Sequence, residues 1–186
     1  GYGASQANVK ILEWMFSMAL HAHGILVKKI GQQDLNTRDA QWQKDGSVLV
    51  FGGGEFTKVK ETLTLYGREA IRNFASLKKY LGICMGANAG AAQIDFLGQN
   101  VYKTSEGFGF FNGVARGSLP IAPALYTGMS DSAQLTTFRH EKYGIDFPSL
   151  YWGGPHFDLS HAAHNAEKLV TLKSPSTDKI ITMGIS

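Results

Sequence analysis

Cysteine is almost absent from this chain: Cys84 is the only one in 186 residues. A single thiol excludes an internal disulfide and a cysteine-rich zinc centre, and it favours a reducing, cytoplasmic compartment over an oxidising one. Long apolar runs are missing too. The longest mostly apolar stretch, residues 11–27, contains Glu13, His21 and His23 and is too polar to span a bilayer, so no membrane partner is expected. No signal-peptide pattern is visible, although a leader removed ahead of Gly1 is compatible with the way the chain opens. Charged residues make up 18% of the chain, below the usual quarter, and the net charge is only +3. Lysines and arginines are scattered, with only Lys28-Lys29 and Lys78-Lys79 adjacent. Such a spread does not track a phosphate backbone, which argues against a nucleic-acid partner. Neither G-x-x-x-x-G-K-[ST] nor a G-x-G-x-x-G following a strand occurs, so no cofactor is expected.

Glycine, by contrast, is plentiful at 22 residues, and 44% of the chain is hydrophobic. That is enough for one globular domain over residues 1–186 with a sizeable core. "SQANVKILEWMFSMALHAHG" starts at a candidate N-cap, Ser5, stops before Gly24, and spaces its apolar residues over a wide helical arc; it reads as a mostly buried helix. "ILVKKI" reads as a strand, Thr37 to Lys44 as a helical turn, and "SVLVFGGG" as a buried parallel strand ending in glycines. A second helix is expected from Tyr66 to Lys79 with Ile71, Phe74, Ala75 and Leu77 inward, then a strand "YLGI", then a third helix opened by "CMGANAGAA". This alternation predicts an α/β fold with a mainly parallel sheet covered on both faces. After residue 95 the aromatic, glycine-punctuated segments "GFGFFNG", "ALYTG", "LTTFRH" and "SLYWGGP" suggest a late antiparallel addition, and "KLVTLKSPSTDKIITMGIS" a hairpin. The glycine-rich opening "GYGAS" leads straight into a helix, so a first strand is expected ahead of Gly1, and further chain after Ser186.

The cysteine sits in Gly82-Ile83-Cys84-Met85-Gly86, a strand-to-helix elbow of the form G-x-C-x-G. Glycines two before and two after relieve crowding around a residue held in a strained turn. The helix that follows aims its first N–H groups at the sulfur, which should lower the thiol pKa. Met85 N–H then becomes one oxyanion donor, and the glycine loop that ends "VFGGG" offers the other. These residues, with "YLGICMGA", "VLVFGGGEF", "GFGFFNGVARGSLP", "IRNFASLKKYLGIC" and "YWGGPHF", resemble the class I glutamine amidotransferase-like superfamily. Within it, the closest resemblance is to the N-terminal domain of biotin-protein ligases and its stand-alone relatives. The resemblance implies a flavodoxin-like three-layer sandwich, Cys84 as nucleophile, and Gly53 or Gly54 with Met85 as the oxyanion hole. The chain departs from glutamine amidotransferases at Asn88, where they carry glutamine, and in having no His-x-Glu.

A base must therefore come from the histidines present or from outside the sequence. His156, after the Gly-Gly-Pro turn in "YWGGPHF", is the first candidate, set against simple packing beside Trp152 and Phe157. Glu55 follows the glycine loop and is a candidate orienting carboxylate, set against an ordinary helix N-terminal charge. Asn88 and Trp152 are candidate substrate contacts. His161 and His164 share a face if helical, but no carboxylate or cysteine completes a metal set, so no metal is expected. His21 and His23 suit a helix C-terminus, and Phe108, Phe110, Phe111, Tyr151 and Trp152 read as core. Two functions stay open: a cysteine-dependent hydrolase or amidotransferase-like domain acting on a C–N or acyl bond of a small-molecule or peptide-like substrate, and a non-catalytic ligand-binding or regulatory module that keeps the elbow as architecture.

Overall fold

The structure, a computed structural model, describes residues 5–96, 99–102, 107–119, 133–159, 166–173 and 180–186. The chain divides into two compact units, Gly1–Ala89 and Gly90–Ser186.

The first unit opens with α1 (Gln6–Leu20), which runs into a 3-10 turn at His21–His23 and stops at Gly24, whose φ of +68° is a left-handed cap that glycine adopts readily. Those limits are the expected ones, but the burial is not. No residue of α1 is buried, and Trp14, Met15 and Met18 are more than half exposed. Among the described residues the unit's sheet has two strands, too narrow a face for so wide an apolar arc; Leu12 meets it at Gly52. Residues 25–30 form no strand either, because β1 and β2 make up the whole first sheet and no ladder receives them.

Short helices α2 (Gln32–Asn36) and α3 (Gln41–Asp45) lead to β1 (Val48–Phe51), then α4 (Phe56–Thr62), α5 (Leu65–Leu77), β2 (Lys79–Gly82) and α6 (Met85–Gly90). Of these, α2 and α4 have no counterpart in the sequence reading. Thr64 caps α5 by accepting the Gly67 N–H at 3.1 Å. Asn36 ties that cap to α2 and α4: its Oδ1 accepts from Thr64 N at 2.9 Å, and its Nδ2 donates to Thr62 O at 2.8 Å. Ile71 and Phe74 carry the buried face of α5, whereas Leu77 in its last turn is exposed rather than inward. Lys78 Nζ donates to the carbonyls of Gln43, Lys44 and Gly46, satisfying the end of α3. The crossover through α4 and α5 brings β2 parallel beside β1, from Val48↔Lys79 to Phe51↔Gly82.

The second unit is one eight-stranded sheet in the order β4-β3-β5-β8-β10-β9-β6-β7. Its strands are β3 (Ala91–Phe96), β4 (Gln99–Tyr102), β5 (Phe111–Gly117), β6 (Gln134–His140), β7 (Ile145–Tyr151), β8 (His156–Asp158), β9 (Lys168–Lys173) and β10 (Ile180–Ile185). Only β3–β5 pairs parallel here; the other pairs are antiparallel. The fold is thus α/β, but the sheet is not mainly parallel. Parallel strands need a crossover of roughly a dozen residues or more, and β6 and β7 are joined by the turn at 141–144. The late antiparallel addition and the closing β9–β10 hairpin are as expected; the turn from Ser174 to Asp178 and the "ALYTG" segment lie outside the described residues. Pro148 is tolerated because β7 is an edge strand. Phe138, Tyr151 and Leu172 form a buried cluster, packed by Leu119, Phe147, Val170 and Met183. Phe108 and Phe111 are buried as read, while Phe110 and Trp152 are exposed.

Ile71 is fully buried at 0% exposure. Ile71→Ala is expected to destabilise the chain by about 2–5 kcal/mol, the transfer loss plus the cavity left behind, measured by urea denaturation.

Candidate functional site

The cysteine elbow is built from close backbone approach. A Cβ on Gly86 would fall on the Phe51 carbonyl, far inside van der Waals contact, and one on Gly82 would lie 2.6 Å from Gly86 O. With both side chains absent, Gly86 N–H reaches Gly52 O at 3.1 Å and Ile83 N–H reaches Phe51 O at 2.9 Å. The chain between these two anchors has to reverse within a few residues. Cys84 takes up the reversal at φ +56°, a left-handed conformation that costs a non-glycine residue roughly 1–2 kcal/mol. Tyr80, which the sequence reading passed over, is half-buried and adds a hydroxyl that donates to Gly86 O at 2.7 Å, and desolvation pushes its pKa well up. The third helix is the six-residue α6, after which β3 begins at once.

Cys84 is half-buried. Burial pushes its thiol up from the ordinary value, and hydrogen bonds from the backbone N–H groups of Met85 and Gly54 pull it back only in part. The expected lowering is therefore not met: desolvation of the thiolate outweighs the donors. Those donors nevertheless converge on the sulfur from two different segments. Gly53 plays another part: its carbonyl accepts Ser5 N–H at 3.0 Å, and a Cβ there would lie 3.4 Å from Cys84 Cβ. Asn88, one turn after the cysteine, is 6% exposed; its backbone N–H donates to Cys84 O at 3.1 Å, and its Nδ2 does so at 3.3 Å. Its Oδ1 is buried and has no hydrogen-bond partner among the described residues. Glu55 is the residue before α4, exposed, with its carboxylate on Lys58 Nζ at 2.8 Å and on Thr57 Oγ1 at 2.8 Å. Those two hydrogen bonds, Lys58 first, lower its pKa.

His156 belongs to the second unit, on β8. Its row in the sheet is polar: Asp95 on β3 pairs with Arg116 on β5, which pairs with His156. Arg116 binds Asp95 Oδ2 at 2.5 Å and reaches Asp158 Oδ2 at 3.5 Å. The alternate residues Ile94, Ala115 and Phe157 are buried, so these four polar groups share the opposite face. Burial, then the Arg116 charge, lower the His156 pKa; Asp158, a bond to the Arg116 backbone and Asp95 act the other way. His156 Nδ1 and Asp95 Oδ1 are buried without partners among the described residues. The sequence reading found His156 and missed Arg116, Asp95 and Asp158, which lie far apart along the chain and meet only through strand order. His21 and His23 are exposed; His161 and His164 lie outside the described residues. Among the described residues, no group of three or more His, Cys, Asp and Glu is placed to hold a metal ion, and no helix is long and apolar enough to cross a membrane.

Fold and elbow together define an α/β protein with a cysteine on a left-handed strand-to-helix turn. The chain belongs to the biotin-protein ligase N-terminal family, whose model ("Biotin-protein ligase, N terminal") matches residues 1–179. Comparison with curated proteins found no match.

Two predictions follow from this geometry. Cys84→Gly removes the left-handed penalty, so it is expected to raise stability by about 1 kcal/mol in chemical denaturation, while abolishing thiol reactivity. For His156 the folded pKa lies below the ordinary histidine value, so the unfolded chain binds the proton more readily. Its contribution to stability is full above the ordinary value and is lost as the pH falls through the lowered folded one. The urea midpoint should therefore drop as the pH falls below the ordinary histidine value of about 6.5, and His156→Gln should flatten that drop.

Proposed function

We propose that this domain is a cysteine-dependent hydrolase or amidotransferase-like catalyst acting on a C–N or acyl bond of a small-molecule or peptide-like substrate. The observation that carries the reading is the pair of backbone N–H groups, from Gly54 and Met85, directed at a cysteine held left-handed between two glycines. The likeness to the class I glutamine amidotransferase-like superfamily, with its flavodoxin-like sandwich, supports it. Because burial keeps the resting thiol protonated, a base has to take the proton as the sulfur attacks the carbonyl carbon. The carbonyl oxygen becomes an oxyanion received by the N–H groups of Gly54 and Met85. Collapse of that intermediate breaks the C–N bond, and the proton passes to the departing nitrogen. Water or an amine then cleaves the thioester and restores the thiol. Asn88 is the candidate substrate contact beside the elbow, and its place where glutamine amidotransferases carry glutamine argues against glutamine itself as the substrate.

A second reading, a ligand-binding or regulatory module that keeps the elbow as architecture, is favoured by the upward push on the thiol. An activated ester separates the two. With p-nitrophenyl acetate, the catalytic reading expects a burst of one p-nitrophenolate per chain and an acetyl group on Cys84 by peptide mass spectrometry. Cys84→Ser should lose both. Absence of a burst, with Cys84 unmodified at neutral pH, would leave the binding module.

A further inference from the structure

We propose that Asn8 is a specificity-determining residue of the cysteine site, donating from Nδ2 to a carbonyl oxygen on the acyl portion of a peptide-like substrate. The inference deepens the catalytic reading and rests on it for the role of Cys84 as nucleophile. Ser5, Asn8 and Leu12 are spaced by three and then four residues, which puts them on one side of α1 and its N-cap. All three meet the same two residues of the glycine loop. Ser5 N–H donates to Gly53 O at 3.0 Å, and a Cβ on Gly52 would lie 2.7 Å from Leu12 Cδ1. A Cβ on Gly53 would lie 3.1 Å from Asn8 Nδ2 and 3.4 Å from Cys84 Cβ. Asn8 and the cysteine therefore border one space, the one a side chain at residue 53 would fill.

Asn8 is exposed, and its amide has no hydrogen-bond partner among the described residues. A neutral N–H donor that the fold does not use thus stands beside the half-buried cysteine. A second amide marks the same elbow as polar. Asn88 is 6% exposed, and its Nδ2 donates to Cys84 O at 3.3 Å, which fixes the sense of the amide. Its Oδ1 is left buried without a partner among the described residues, an acceptor that calls for a donor from a ligand. Glu55, the charged residue that follows the glycine loop, is an anion already bonded to Lys58 and Thr57. A neutral acceptor therefore suits Asn8; a carboxylate would call for an arginine or lysine. Peptide groups supply neutral carbonyl acceptors, together with N–H donors of the kind Asn88 Oδ1 lacks. A contact on the acyl portion serves both halves of the reaction, because that portion stays on the sulfur until the thioester is cleaved.

The test labels Cys84 in the intact protein with two bromomethyl ketones of equal length, one made from N-acetylglycine and one from pentanoic acid. With each, the sulfur displaces bromide at the methylene carbon, the S–C bond forming as C–Br breaks and the thiol proton passing to buffer. Labelling rates are read by peptide mass spectrometry. The ratio of the acetylglycyl to the pentanoyl rate should be higher in the wild-type protein than in Asn8→Ala or Asn8→Leu by about three- to tenfold, the range of one neutral hydrogen bond net of water. Asn8→Asp, whose carboxylate offers acceptors only, should lose the preference as well. An unchanged ratio in any folded variant of the three, or no labelling of Cys84 by either reagent, overturns the proposal. Labelling needs no turnover. If the ratio falls as expected while p-nitrophenyl acetate gives no burst, the catalytic reading fails and the Asn8 contact stands. A burst with an unmoved ratio removes Asn8 and leaves the catalytic reading.

Discussion

The contact between the Gly86 backbone and the end of β1 governs the cysteine elbow. Gly86 lies so close to Phe51 that no side chain fits, and Gly82 lies nearly as close to Gly86. Hydrogen bonds from Ile83 to Phe51 and from Gly86 to Gly52 then fix both sides of one residue. That residue has to turn left-handed, and it is the cysteine. The strain of roughly 1–2 kcal/mol is offset by these two bonds with those of Asn88 and Tyr80, each worth about 1 kcal/mol net. A local penalty is held in place by a well-bonded surround, which is the usual condition for strain at a functional position.

The same turn sets two electrostatic effects against each other. Burying the sulfur raises the cost of the thiolate, while the Gly54 and Met85 N–H groups favour negative charge at that point. Burial wins in the resting protein. Donors that fail to ionise a resting thiol are still worth more to any state that carries fuller negative charge, because their dipoles are already oriented and need no reorganisation. The elbow is therefore better arranged for charge that develops during a reaction than for a standing thiolate.

How much of this was legible in the sequence depended on whether the cause was local. The elbow was readable because G-x-C-x-G compresses its steric reason into five residues. The ends of α1 were readable because Ser5 and Gly24 sit at its two limits, and the β9–β10 hairpin because its strands flank one turn. The exposure of α1 was not readable: apolar spacing reports a face seeking cover, and the amount of cover depends on how many strands the sheet supplies. Pairing direction was misread for a related reason. Strand-helix alternation holds through β2, but β6 and β7 are joined by the turn at 141–144, a connection too short for parallel pairing. The direction of the thiol shift was misread because a helix N-terminus is visible in sequence and desolvation is not.

The polar row on β3, β5 and β8 raises a separate physical question, since charged groups in the middle of a sheet are ordinarily costly. Its cost is limited by exposure. The Arg116 side chain is 41% exposed and those of Asp95 and Asp158 are 21% and 29%, so each keeps part of its hydration. For the same reason the ion pairs contribute little to stability; solvent-screened pairs of this kind are worth about 0–1 kcal/mol.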